Sequence, residues 1–140
     1  MPVDKKIISR KITLINNDLK SLKALSKLSL KIYLSKADYE ALAERYLERI
    51  IGRMIDINYH ILSEKEKEIP TDFYNSFIAL GRKKYLPIKL AGIMANSAGL
   101  RNRLAHEYDE IDAKKVFKAM ESCLKDAPKY LKNIVKSLDL

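Results

Sequence analysis

Asp38-Tyr-Glu-Ala-Leu-Ala-Glu-Arg-Tyr-Leu-Glu-Arg-Ile-Ile-Gly-Arg-Met-Ile-Asp-Ile-Asn-Tyr-His-Ile-Leu62 is the stretch that decides the fold. Leu42, Tyr46, Ile50, Met54, Ile57 and Ile61 recur in it at steps of four and three, which gathers them on one face of an α-helix. That helix is expected over roughly 36–63, with Ser35 and Asp38 as its capping arrangement. Upstream, Ile8, Ile12, Ile15, Leu19, Leu22 and Leu25 keep the same period and predict a first helix over roughly 5–34. Downstream, the polar run Ser63–Glu68 reads as a loop, closed by Pro70, with Thr71 as the next N-cap. A short third helix carries Phe73, Phe77 and Leu80 and stops near Gly81. Pro87 suits the first turn of a fourth helix over about 88–106. Asp112 caps the last, which carries Val116, Met120, Cys123, Leu124, Leu131 and Ile134 and is expected to bend at Pro128. No alternating strand pattern and no repeat appears. The expectation is one all-α domain over 1–140, an antiparallel helical bundle of about five helices.

Composition narrows the function classes. The chain has 140 residues, 47% of them apolar and 32% charged, which suits a single packed core and neither a disordered polyelectrolyte nor a membrane protein. No stretch approaches the roughly 20 apolar residues of a membrane span. MPVDKKIISRK at the N-terminus lacks the apolar core of a secretory signal. Cys123 stands alone, so no intrachain disulfide or thiolate zinc cage can form, and a reducing, cytoplasmic setting is expected. The net charge of +9 is uneven: residues 1–36 hold nine Lys and Arg against Asp4 and Asp18. That segment fits a polyanionic partner, or a Lys-rich solvated face.

Most candidate chemistry fails on spacing. His60 and Glu64 lie at i, i+4, but no HExxH or further carboxylate set completes a metal site, so no metal is expected there. Gly81, Gly92 and Gly99 are too scattered for a phosphate-cradling loop, and Cys123 lies on an apolar face, where it packs rather than attacks. No cofactor is called for. Arg45, Arg49 and Arg53 form a basic stripe that either tracks a nucleic-acid backbone or is a solvated face paired with Glu44, Glu48 and Asp56. Surface pairing is the commoner fate of such charges and is the reading preferred here.

One segment stands apart: Gly99-Leu-Arg-Asn-Arg-Leu-Ala-His-Glu-Tyr-Asp109. His106 is of the type that both takes and gives a proton near neutral pH, and Arg101 supplies a permanent forked cation suited to phosphate oxygens. Together they suffice to cleave RNA without a metal. His106 would activate the ribose 2′-hydroxyl or protonate the leaving 5′-oxygen, and Arg101 would stabilise the phosphorane. Positions 101 and 106 lie about 140° apart on an ideal helix, whereas Asn102 and His106 share a face. Convergence on one phosphate therefore needs a reaching Arg side chain, a loosened helix, or residues from two subunits. The plain alternative is an Arg and a His placed at a helix C-terminus by the dipole.

RNRLAHEYD resembles the Arg-x4-His-x-Tyr signature of the HepT-like toxins, a branch of the HEPN superfamily. The resemblance extends to Ile69–Phe77 with Leu80, to Asp109, Ile111 and Asp112, and to the helix from Arg45 to Leu62, covering about 38–137. Glu107 stands where family members often carry Gly. The resemblance implies a helical bundle that dimerises with two motifs facing one cleft. It implies a metal-independent endoribonuclease, the toxin of a toxin–antitoxin pair. Its partner would be a minimal nucleotidyltransferase antitoxin that adenylylates the motif tyrosine. By position, Arg101, Asn102 and His106 would be catalytic and Tyr108 the modification site. Some superfamily members bind RNA or nucleotide without cutting, so a non-catalytic subunit docking a nucleotidyltransferase is the alternative function. A dimeric scaffold touching polyanions through its first helix is a third.

A homodimer is also expected from a surplus of apolar positions beside the main ladders (Leu14, Leu28, Ile32, Leu47, Ile51), although a core filled from both sides accounts for them equally. Ala91, Ala95 and Ala98 would let the fourth helix approach the two-fold axis closely.

Overall fold

A computed structural model describes residues 3–105 and 112–140. They form six helices and no strand: α1 (Lys5–Ser26), α2 (Leu30–Leu34), α3 (Ala37–Glu64), α4 (Phe73–Arg82), α5 (Ile88–Ala105) and α6 (Ala113–Leu138). The all-α expectation holds, with one helix more than expected. Two serines make the difference. The Ser26 hydroxyl donates to the Lys23 carbonyl, and the Ser29 side chain accepts the Ile32 amide and starts a new short helix. Such local bonds compete with helix continuation, so the 5–34 helix breaks after Ser26.

Other caps differ from the sequence reading too. Lys36, not Ser35, is the N-cap of α3 and offers no side-chain bond, while the Ser35 hydroxyl turns back onto the Ile32 carbonyl. Asp72 rather than Thr71 caps α4, its carboxylate accepting the Asn75 amide at 2.7 Å. A carboxylate is the better acceptor at a positive helix end, and Thr71 is left to bind the Asn75 side chain. Asp112 caps α6 as expected, accepting from the Lys114 amide at 2.9 Å. Exposed Pro128 lies inside α6, which runs through it as one helix.

α3 is the central helix and packs against each of the other five. Ile50, Met54, Ile57 and Ile61 are fully buried, and so are Leu47 and Ile51, which had read as surplus. The other helices cover both flanks of α3, so these two need no second subunit. α1 runs antiparallel to it, pinned at three levels. The Asp4 amide donates to His60 Nε2 at 3.0 Å, Lys11 pairs with Asp56 at 3.5 Å, and buried Asp18 receives Arg53 at 2.6 Å and Arg49 at 3.2 Å. The solvated-face reading of the arginine stripe is therefore corrected. Two of its members reach across to α1, because one carboxylate shielded from water attracts guanidinium groups more strongly than exposed neighbours do.

α4 and α5 form a tight antiparallel hairpin. A Cβ at Gly81 would lie 2.6 Å from the Ala91 Cβ, closer than packing allows. Ala91, Ala95 and Ala98 are buried within the chain. The small size of Ala91 serves this intrachain contact, and with all three already buried they carry no argument for a dimer axis. Between α3, α4 and α6 runs a buried polar chain. Tyr130 donates to Asn58 Oδ1 at 2.6 Å, Asn58 Nδ2 donates to Ser76 at 3.1 Å, and Ser76 donates to the Phe73 carbonyl at 2.7 Å. With every member paired, it fixes the start of α4 against α3. Among the described residues, no helix is long and apolar enough to cross a membrane.

Candidate active site

The site begins where α5 crosses α3. A glycine inside a helix gives up about 1 kcal/mol relative to alanine, and Gly52 stands in the middle of α3. The space it leaves is where Arg101 lies, and a Cβ at position 52 would be 3.8 Å from Arg101 Nε. The Arg101 guanidinium sits 5.4 Å from the centre of the Phe73 ring, within cation–π range. Phe73 is in turn held edge-to-face by Tyr59 at 6.0 Å and, through its carbonyl, by the buried Ser76–Asn58–Tyr130 chain. Gly52, Ile55, Asp56, Tyr59, Phe73 and Arg101 line a cleft of about 280 Å³ between these helices.

Arg101 Nε is shielded from solvent and has no hydrogen-bond partner. No carboxylate among the described residues forms a salt bridge with Arg101. Asp56, on the rim, is paired with Lys11 instead. Among the described residues the cation is thus oriented by an aromatic face and by shape, with no carboxylate paired to it. Phosphate oxygens are the natural acceptors for such a group.

Asn102 is exposed one position on, about 100° further round α5. The structure therefore separates Arg101, turned into the cleft, from Asn102, turned to solvent. His106 and Tyr108 lie outside the described residues. Burial, then Asp72, raises the Tyr59 hydroxyl above its ordinary value, so Tyr59 is a neutral ring at working pH. Burial, then Asp126, pushes the Cys123 thiol up to about 12, which suits the packing role read from sequence. No group of three or more His, Cys, Asp or Glu suited to a metal occurs among the described residues, and His60 Nε2 accepts the Asp4 amide.

Sequence reasoning missed Gly52, Phe73 and Tyr59 as parts of the site. A glycine inside an otherwise strong helix was the available signal, since its helix cost implies a close approach.

Comparison with known proteins completes the description. Residues 15–134 match the family model described as ribonuclease HepT-like. The chain is 41% identical over 128 residues to the tRNA nuclease HepT of Aphanizomenon flos-aquae (strain 2012/KM1/D3), covering 91% of this chain and 87% of that protein. Its fold matches the tri-AMPylated HEPN toxin of Shewanella oneidensis, solved in complex with its MNT antitoxin. There the TM-score is 0.84 at 23% identity, over 94% of this chain and 98% of the other. The cytosolic protein YutE from Bacillus subtilis also matches, with TM-score 0.76 at 17% identity over 96% and 92% of the two chains. The family model spans most of the helical core and the signature segment together, and the chain belongs to the ribonuclease HepT-like family.

Proposed function

We propose that the protein is a metal-independent endoribonuclease, the toxin of a toxin–antitoxin pair, with transfer RNA as its substrate class. The observation that carries this reading is Arg101: a guanidinium seated on Phe73, with no salt bridge among the described residues, five positions before His106 in the sequence. The 41% identity to a tRNA nuclease supports the substrate class. In this reading, one His106 takes the proton of a ribose 2′-hydroxyl, whose oxygen attacks the adjacent phosphorus. A second His106, from the partner of a two-fold dimer, protonates the departing 5′-oxygen. Arg101 neutralises the charge that builds on the non-bridging oxygens, and exposed Asn102 helps hold the strand. The products are a 2′,3′-cyclic phosphate and a free 5′-hydroxyl.

Regulation belongs to the same reading. Tyr108, two residues past His106, is the proposed adenylylation site for a nucleotidyltransferase antitoxin. A bulky, anionic AMP there would block the cleft and repel RNA phosphates. The fold shared with an AMPylated toxin in complex with an MNT antitoxin supports this.

Incubation of purified protein with tRNA in EDTA tests the catalytic half. Cleavage is expected, with loss of about a hundredfold or more in Arg101→Ala and in His106→Ala while their helical circular dichroism is unchanged. Full activity in folded His106→Ala would remove His106 from the mechanism. No cleavage by the wild type, with RNA binding retained, would favour the non-catalytic subunit.

A further inference from the structure

We propose that the outer face of α3, through Arg45, Arg49 and Arg53, is an RNA-binding track that leads the substrate strand to Arg101. The inference rests on the ribonuclease reading of Arg101 for its purpose, although the track itself is read from charge and geometry.

On an α-helix, positions 45, 49, 52 and 56 fall within about 60° of one another, with 53 about 40° further round. Position 52 is the glycine over which the Arg101 side chain lies. Arg101 therefore shares a face with the arginine stripe, although it belongs to another helix. Gly52 to Arg49 is about 4.5 Å along the axis, and Arg49 to Arg45 about 6 Å more, steps comparable to the separation of neighbouring phosphates in a single strand.

The charge on this face is unbalanced. Arg49 and Arg53 share one carboxylate, Asp18, which is 5% exposed, so one positive charge of the three-group cluster is uncompensated. The Arg49 side chain is 37% exposed and keeps donors free for a ligand. Arg45 is exposed one turn further on. Asp56, the acid nearest the cleft on this face, is paired with Lys11 from α1. Glu48 lies on the flank of the stripe, about 60° from Arg45. Lys11, Arg45, Arg49, Arg53 and Arg101 thus outnumber Asp18, Asp56 and Glu48 on the helix surfaces that meet here. Asp18 also does something a surface acid would not. From α1 it holds Arg49 and Arg53 in place, so the track is built before RNA arrives.

The probe is a fluorescein-labelled, 2′-O-methylated single-stranded oligoribonucleotide, which has no 2′-hydroxyl to attack, so binding is read apart from cleavage. Fluorescence anisotropy across a salt series gives the slope of log affinity against log salt. Each lost phosphate contact lowers that slope by about 0.7 and weakens binding about fivefold near 0.1 M salt. Arg45→Gln/Arg49→Gln should lose about 1.4 in slope, and Arg45→Gln alone about 0.7. The double variant keeps the 2.6 Å Arg53–Asp18 bond, and the single variant removes an exposed side chain without touching it. Lys129→Gln/Lys132→Gln removes the same charge from exposed positions of α6, a helix whose Tyr130 bonds the opposite side of α3 at Met54 and Asn58. It should leave the slope within about 0.3 of the wild type. Equal losses in the arginine and lysine variants, or an unchanged slope in folded Arg45→Gln, would overturn the track. Loss of cleavage in Arg101→Ala with the track slope intact would uphold both readings. A wild type that binds by this track and never cleaves would sink only the catalytic one.

Discussion

At the scale of single residues, the position of Arg101 depends on what is missing beside it. An alanine Cβ at position 52 would sit 3.8 Å from Arg101 Nε, an ordinary contact. Gly52→Ala should therefore keep activity and gain up to about 1 kcal/mol of stability from helix propensity. Gly52→Leu fills the same space and should displace the guanidinium from Phe73, lowering kcat/KM about tenfold or more in a protein that still folds. Wild-type cleavage by Gly52→Leu would show that the seat of Arg101 is unimportant. Tyr33 offers a test of a different kind. Its ring is fully buried edge-on against Phe117, and its hydroxyl meets no hydrogen-bond partner. Burial, then Glu40 and Glu44, raise its pKa to about 12. A raised value in the folded state means that the unfolded chain loses this proton first. The stability it represents is complete below about pH 10 and disappears as pH rises from there to about 12. Tyr33→Phe should be neutral or stabilising by up to about 1 kcal/mol at pH 7 and should lessen the alkaline loss of Tm. A large destabilisation at neutral pH would mean that the hydroxyl has a partner. Asp18 teaches the limit of sequence reading at this scale. Nothing in its neighbours along the chain distinguishes a surface acid from the buried anchor of two arginines, because its partners lie more than thirty residues away.

Among helices, the long apolar ladders and most helix ends were legible, and the break inside the first helix was not. Ile50, Met54, Ile57 and Ile61 repeat often enough to fix the face of α3, and Asp112 was recognisable as a cap because nothing competes with it. The break after Ser26 was hidden, since Leu25 and Leu28 continue the helical period across it while Ser26 and Ser29 bond locally instead. The alanines of α5 were read correctly as permitting close approach and assigned to the wrong neighbour. Period alone states that a face is small, not which helix meets it. Gly81 supplies the missing half, and it gives a direct test. Gly81→Ala should cost about 1–3 kcal/mol by forcing α4 from α5, seen as a lower Tm. Adding Ala91→Gly should restore much of that loss, because the clash is between those two Cβ atoms. If the second change destabilises further, the helices are not as close as described.

For the whole molecule, the fold brings an arginine from α5, a glycine from the middle of α3 and an aromatic ring from the start of α4 to one cleft. The signature pattern made Arg101 legible, since its two functional types sit close together in the chain. The supporting residues were not, because they come from three helices and only packing assembles them. Beside that cleft Asp56 is paired with Lys11 and Asp18 with Arg49 and Arg53, while Arg101 has no carboxylate partner among the described residues. A surface of this kind suits a polyanion that must be held and cut at once. The central claim is that cutting proceeds by attack of the substrate's own 2′-hydroxyl, with Arg101 and His106 supplying charge and protons. Mass spectrometry of the ends of RNA fragments made by the wild-type protein in EDTA tests it most directly. The expected result is 2′,3′-cyclic phosphate with 5′-hydroxyl, absent when the substrate is 2′-O-methylated; fragments carrying 5′-phosphate, or cleavage that stops on chelation, would contradict it.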